Sequence, residues 1–286
     1  MKENKDEKNL EDRIENIGKG SVIQHGKLNN RIYLIKLGKE DCPGILDDLR
    51  RLAEENKYTK IFCKVPEWAA PVFFADGFFT EAIIPGFYRG RDAAFFLAKF
   101  LDSDRLMLLE NQELRDLSKL LKSTQLKAKT AVKDSLPLKQ LGVADVEQIT
   151  GLYRKVFKSY PFPIFNREYI LHTMKDNVRY FGVSKNGRLM AVASAEIDEK
   201  GKNAEMTDFA TDPDFRGQKL GQLLLAKMEK EMEAMDIKTL YTIARLRSIP
   251  MNKVFLKHRY QYAGTLLRNT NISGSIESMN VYYKQL

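Results

Sequence analysis

Cysteine is nearly absent from this chain. Cys42 and Cys63 are the only two among 286 residues and share no ligand spacing, which excludes a disulfide framework and a cysteine-built metal centre. Histidine is almost as scarce: His25, His172 and His258 stand far apart with no H-x-x-x-H pair, so each is expected to be a surface or hydrogen-bonded residue, and no metal is expected. No stretch approaches the roughly 18 consecutive apolar residues of a membrane helix. The opening "MKENKDEKNLEDRIENIGKG" is charged and lacks the apolar run of a signal peptide. A G-x-x-x-x-G-K-[ST] phosphate loop is missing as well. Together these absences lead to the expectation of a cytoplasmic protein of a reducing compartment, with no membrane partner.

What is present is a basic, core-forming composition: 43% hydrophobic residues and a formal charge of +9. An excess of that sign admits nucleic acid, an anionic surface or a phosphorylated small molecule. The lysines and arginines are mixed with acids along nearly every segment, however. The densest basic run, "KLLKSTQLKAKTAVK" at 119–133, has no interleaved aromatics on which bases could stack. It reads as a solvated face, and nucleic acid is not expected as a partner.

Periodicity gives an α/β arrangement with a mixed sheet. Residues 1–18 read as a charged, flexible leader. In 19–104, "RIYLIKLG" and "KIFCKV" read as strands, and "PGILDDLRRLAEENK" and "PEWAAPVFFADG" as helices. Trp68 and the "VFFADGFF" cluster read as core. Leucine spacing makes 105–129 a helical connector. In 130–286, "DVEQITGLYRKVF" is helical and "RYFGVSKNGRLMAVASAEID" is a hairpin turning at Lys185-Asn186-Gly187. "AEMTDFATD" extends the meander. "KLGQLLLAKMEKEMEAM" is an amphipathic helix with Leu220, Leu223, Leu224, Met228, Met232 and Met235 at helical spacing, and "KTLYTIAR" is the next strand. The segment starting "KYTKIFCKV" and the chain's last segment, starting "KTLYTIAR", share one order of strand, helix and hairpin. The first half thus reads as a truncated internal copy of the second.

One junction carries chemistry. "DFATDPDFRGQKLGQLLLAKM" joins a strand to a helix through Arg216, Gly217 and Gly221. Unpartnered amides in a helix's first turn, with the helix dipole, form an anion site, and glycines let a bulky diphosphate reach the backbone. In this context the junction resembles the cofactor loop of the GNAT acetyltransferases, Arg/Gln-x-x-Gly-x-Gly/Ala before a helix, with Lys219 in place of the central glycine. The likeness extends over most of the chain. "IPGFYRGRDAAFFLAKFL", "FPIFNREYI", "AEMTDFATDPDFRG" and "NTNISGSIESMN" are similar to the β-lysine N-acetyltransferases.

The resemblance implies a GNAT fold, that is, a mostly antiparallel central sheet flanked by helices, preceded by a degenerate GNAT-like portion. It implies acetyl-CoA as co-substrate and the side-chain amine of β-lysine as acceptor. The product would be a neutral compatible solute for osmoadaptation, with β-lysine supplied by a lysine 2,3-aminomutase. Cofactor contacts fall on the amides of Phe209 and Thr211, on Arg216, Gly217, Gln218, Lys219, Leu220, Gly221 and Gln222, and on Asn252. The general base falls on Glu205, with Asp208 second and Glu196 third. Glu205 and Asp208 are three apart, so a regular strand would point them to opposite faces. Phe255 occupies the place of the family's proton-donating tyrosine; Tyr241, Tyr260, Tyr262 or water remain as substitutes. Two other readings stay open: a GNAT for another small amine such as a polyamine, and a non-catalytic acyl-CoA-binding module. Pairing of two chains into a homodimer stays open too.

Overall fold

The computed structural model describes residues 12–107, 110–123 and 137–286. The chain begins with β1 (Arg13–Ile17), β2 (Ser21–Gly26), β3 (Arg31–Lys36), α1 (Ile45–Asn56), β4 (Lys60–Pro66), α2 (Ala70–Ala75), β5 (Phe79–Tyr88) and β6 (Asp92–Phe100). Two helices follow, α3 (Ser103–Leu106) and α4 (Asn111–Lys122). The second half holds β7 (Leu138–Gln140), α5 (Val146–Val156), α6 (Arg167–Lys175), β8 (Val178–Lys185), β9 (Arg188–Asp198), β10 (Asn203–Thr211), α7 (Leu220–Ala234), β11 (Thr239–Arg245), α8 (Ile249–Lys257), β12 (Gln261–Ile272) and β13 (Ser275–Gln285). No described helix is long and apolar enough to cross a membrane.

All strands join one sheet in the order β1-β2-β3-β4-β6-β5-β12-β13-β11-β10-β9-β8-β7. Within it the order β2-β3-β4-β6-β5 repeats as β9-β10-β11-β13-β12, so the internal likeness read from sequence is a likeness of topology. Among the described residues only β3–β4 and β10–β11 run parallel. Each of these pairs is bridged by a helix, α1 or α7, because parallel neighbours need a crossover. The copies meet where β5 and β12 pair, Gly264 opposite Ala82. A Cβ on Gly264 would lie 2.0 Å from the Glu81 carbonyl oxygen, so this junction requires glycine.

Polar bonds weld the seam. Three consecutive carbonyls of β12, where its register shifts, each accept from a cation of the first half: Leu267 from Lys60, Arg268 from Arg105 and Asn269 from Arg31. Lys60 also pairs with buried Glu81 at 2.8 Å, and Glu81 takes the Leu267 amide at 2.7 Å. Lys60 and Glu81 thereby satisfy each other and the Leu267 backbone, the condition under which buried charge is tolerated.

The apolar stripe of α7 behaves as its spacing predicts, with Leu220, Leu224, Met228 and Met232 buried against β8–β10. The hairpin turn is the two-residue form, with Asn186 and Gly187 at φ 51° and 76° and Lys185 paired to Arg188. Two expectations are corrected. The leader ends early: Arg13–Ile17 form β1 against β2, an edge strand whose alternating charged residues disguised it in sequence, while residues 1–11 lie outside the described residues. Trp68 is half exposed with Phe74 and Phe79, and only Phe73 and Phe78 of its cluster are buried. Of the expected connector, 111–122 is helical; residues 108–109 and 124–129 lie outside the described residues.

Candidate active site

The site begins with a separation of strands. β10 pairs with β9 along its length but with β11 only over Asn203–Glu205. β11 continues to Arg245 against β13 alone, which leaves a wedge between the two parallel strands. The Asp212 amide donates to Met190 of β9 at 2.9 Å. Alternation along the strand then turns the Thr211 amide, and that of Phe209 two residues earlier, toward the wedge. Both are the amides the sequence singled out.

Beyond the strand the chain is clamped before it opens. Asp212 caps the turn Pro213–Phe215 and accepts from Lys155 and Arg188, both at 2.6 Å; Arg188 also reaches Asp214. Burial opposes ionisation of Asp212, but these cations outweigh it and hold the carboxyl at about 2. The amides of Gly217, Gln218, Lys219, Leu220 and Gly221 then find no acceptor among the described residues, whereas Gln222 and Leu223 donate to the Lys219 carbonyl. The cradle is therefore five residues long; Gln222, expected from the sequence to contact the cofactor, is corrected in this respect, because its amide donates to the Lys219 carbonyl. Leu220 is buried and pins the start of α7; Arg216, Gln218 and Lys219 are exposed around the cradle.

Lys219 adopts the left-handed conformation, φ 60° and ψ 24°, that a glycine would take without strain. The turn keeps its shape despite the substitution, at a cost of about 1 kcal/mol. Lys219→Gly is expected to raise thermal stability by up to that amount and to leave acetyl-CoA affinity within a few-fold. Unchanged or lower melting temperature would mean that the lysine side chain compensates for its backbone.

On the other side of the wedge, a cavity of about 560 Å³ lies between the two halves. Glu196, Glu205 and Asp208 all line it, together with Lys64, Tyr33 and Tyr160. The expectation that Glu205 and Asp208 face apart is corrected. The ladder to β9 shifts between Thr207 and Ala210, Asp208 sits at φ 54°, and this bulge resets the alternation. The two carboxylates have different partners, and Glu205 bonds Tyr241. Asp208 accepts from Tyr160 at 2.5 Å and Ser194 at 2.6 Å. Glu205 lies opposite Glu196 in the ladder and beside Tyr241, and Lys64 donates to the Tyr241 hydroxyl at 3.2 Å. Burial first, and repulsion from Glu196 second, push Glu205 up to about 8; burial also raises Glu196 and Asp208.

Asn252 is placed differently from expectation. Its amide nitrogen donates to the carbonyls of Arg245 and Ser248, and its oxygen accepts from Asn280 and Tyr282. That network spends every bond the side chain can make, so Asn252 positions α8 and leaves no side-chain bond for a cofactor. Phe255 is buried against Phe209, Tyr260 and Tyr282. Of the tyrosines named as substitutes for it, Tyr241 belongs to the carboxylate cavity, Tyr260 to the α7 core and Tyr262 bonds Thr265. His25 and His258 are hydrogen-bonded as expected, while His172 lines the cavity. Sequence reasoning missed Lys64, Tyr33 and Arg31 as cavity residues, because they come from the half without the loop motif.

Comparison with known proteins agrees with this geometry. Residues 146–258, from α5 through α8, match the acetyltransferase (GNAT) family. The chain is 38% identical over 264 residues to the beta-lysine N(6)-acetyltransferase of Methanococcus maripaludis, covering 92% of this chain and 96% of that protein. It is 30% identical to the N-acetyltransferase YodP of Bacillus subtilis, over 96% of this chain and 98% of that one. The beta-lysine N(6)-acetyltransferase of Methanosarcina mazei is 29% identical, over 83% and 95% respectively. With a relative 38% identical over nearly its whole length and a family match that spans the strand wedge and the helix start behind it, the chain belongs to the GNAT family of acetyltransferases.

Proposed function

We propose that this enzyme transfers an acetyl group from acetyl-CoA to the N6 amine of β-lysine. The observation that carries the reading is the buried Glu205 carboxylate, hydrogen-bonded to Tyr241, which lines a cavity directly behind the strand wedge. The residues fit the co-substrate: five free amides and Arg216 suit a diphosphate, and the wedge suits the pantetheine arm. The amides of Phe209 and Thr211 receive the thioester oxygen as it gains charge. Glu205 removes the proton from the acceptor ammonium, because only the neutral amine can attack, and a base poised near 8 does this close to neutral pH. Asp208 and Glu196 keep the cavity attractive to cations.

Residues 130–286 form the catalytic portion in this reading, and 19–104 a second copy that walls the acceptor cavity. β-Lysine carries two ammonium groups and one carboxylate, so acetylation of one amine leaves a molecule without net charge. Such a product suits a compatible solute made in the cytoplasm. Cations in the cavity wall, Arg31 and Lys64, favour this acceptor over a polyamine, which has no carboxylate to meet them.

The test is thiol release from acetyl-CoA with β-lysine, α-lysine, a polyamine and no amine in parallel, and product analysis by NMR. The expected result is kcat/KM for β-lysine at least about tenfold above the others, a difference worth about 1.4 kcal/mol, with acetyl on N6. Preference for the polyamine would replace the substrate. Cofactor binding without turnover would support the non-catalytic reading.

A further inference from the structure

Arg31, on β3, is a buried cation that acetyl transfer does not use. Its side chain is almost sealed, with 3% of the residue exposed, and burial lowers it only to about 10, so it stays charged at neutral pH. One terminal nitrogen, Nη1, donates to the carbonyl of Asn269 and to Thr270 Oγ1. Its Nε–H donates to nothing among the described residues. The carboxylates that act on it through space are committed elsewhere, Asp12 to Asn29 and Glu81 to Lys60. Beside it, the side-chain oxygen of Asn269 is also buried and without a donor. A buried guanidinium lacking an anion, next to a buried acceptor lacking a proton, is unfavourable unless a ligand completes both.

Both residues line the cavity that holds Glu205. Tyr33, two residues along β3, feels Glu205 and Glu196 as well as Arg31, so it stands between an anionic and a cationic pole of one cavity. We propose that Arg31 and Asn269 form a head-group subsite for the acceptor: Arg31 receives the carboxylate, Asn269 Oδ1 receives the adjacent β-ammonium, and the terminal amine is thereby presented to Glu205. This rests on the β-lysine reading and deepens it by explaining why N6 and not the β-nitrogen is acetylated. It also gives the amino-terminal half a task, since Arg31 lies outside the segment 146–258 that matches the family.

The experiment compares β-lysine with its carboxamide and with 1,4-diaminopentane, which lacks the carboxyl group, on the wild type and on Arg31→Gln and Arg31→Lys. On the wild type, kcat/KM is expected to fall about 30- to 100-fold from β-lysine to either analogue, mostly through KM, as loss of a buried charge-assisted bond implies. In Arg31→Gln the ratio between β-lysine and the diamine should collapse toward one. Arg31→Lys, which keeps the charge without the planar fork, should restore part of it. Equal wild-type turnover of β-lysine and its carboxamide overturns the subsite and leaves the β-lysine reading intact, whatever the folding of the variants. An Arg31→Gln protein that loses activity on both substrates with the ratio preserved also overturns it, in favour of a structural arginine. Failure of the wild type to acetylate β-lysine at all overturns the substrate reading, and the subsite with it.

Discussion

Glu205→Gln is expected to lower kcat by about 10²- to 10⁴-fold near pH 7, the usual range for losing a general base, and to recover as the pH approaches the acceptor amine's own pKa. Wild-type activity should rise with pH and level off above about 8, where Glu205 is ionised. The variant has no such limb, and its rate should follow the small fraction of free amine up to much higher pH. Pre-steady-state rates across pH 6 to 10.5 separate the two profiles. Parallel profiles would remove Glu205 from proton transfer and leave Asp208 or water.

The same carboxyl makes a statement about stability, and the sign is opposite to that of activity. Its pKa in the folded protein is raised, chiefly by burial and then by Glu196. Below the ordinary carboxyl range both folded and unfolded chains hold the proton. Between that range and about 8 only the folded chain does, so folded-state stability declines with rising pH across this window. Glutamine cannot ionise. The variant should melt at the wild-type temperature near pH 4 and above it at pH 9. A residue that is costly to stability and required for rate is the signature of a site kept for chemistry.

Gly221→Val is the second large effect, and it is confined to the ligand. A Cβ at Gly221 meets only Met251 Sδ, at 3.8 Å, so the protein itself has room for a side chain there. Folding should be affected by less than about 1 kcal/mol, since Gly221 lies in the first turn of α7 and valine is a better helix former than glycine. A branched side chain would, however, stand over the five free amides. Acetyl-CoA affinity should fall by at least about 100-fold, as expected when a charge-assisted contact loses its approach. Calorimetric titration reads the affinity and a thermal melt the control. Normal affinity would show that the diphosphate does not use this helix start. Gly217 is the weaker probe, because its φ of 83° would strain any replacement.

Local pattern made much of this legible. The stripe of α7, the Asn-Gly hairpin and the Arg-Gly loop are each written in consecutive residues, and each forms where its residues predict. Even the repeated order of elements could be read from two stretches with little identity. What escaped was set by pairing across distance. Nothing near Asp208 announces a bulge, since the shift belongs to the ladder between β9 and β10. Asn252 looked like a cofactor contact until Asn280 and Tyr282, far along the chain, used its oxygen. Arg31 and Lys64 sit in ordinary alternating strands, and only the closure of one half on the other makes them cavity walls. β1 escaped for a different reason: an edge strand is charged, and charge imitates disorder.

The seam between the halves has a bearing on how the protein comes into being. Lys60, Arg105 and Arg31 are made early, while the carbonyls that receive them belong to Leu267, Arg268 and Asn269. During synthesis on a ribosome the first half therefore emerges before these cations can meet their β12 acceptors, although Lys60 already has Glu81 and Arg105 the carbonyls of Asn29 and Asn30. Contacts of such long sequence separation form slowly, and a nascent domain ordinarily folds as it appears. Here the seam can close only after β12 has been translated. The cavity, whose wall draws on residues from Ile14 to Met279, is complete only when nearly the whole chain has been made.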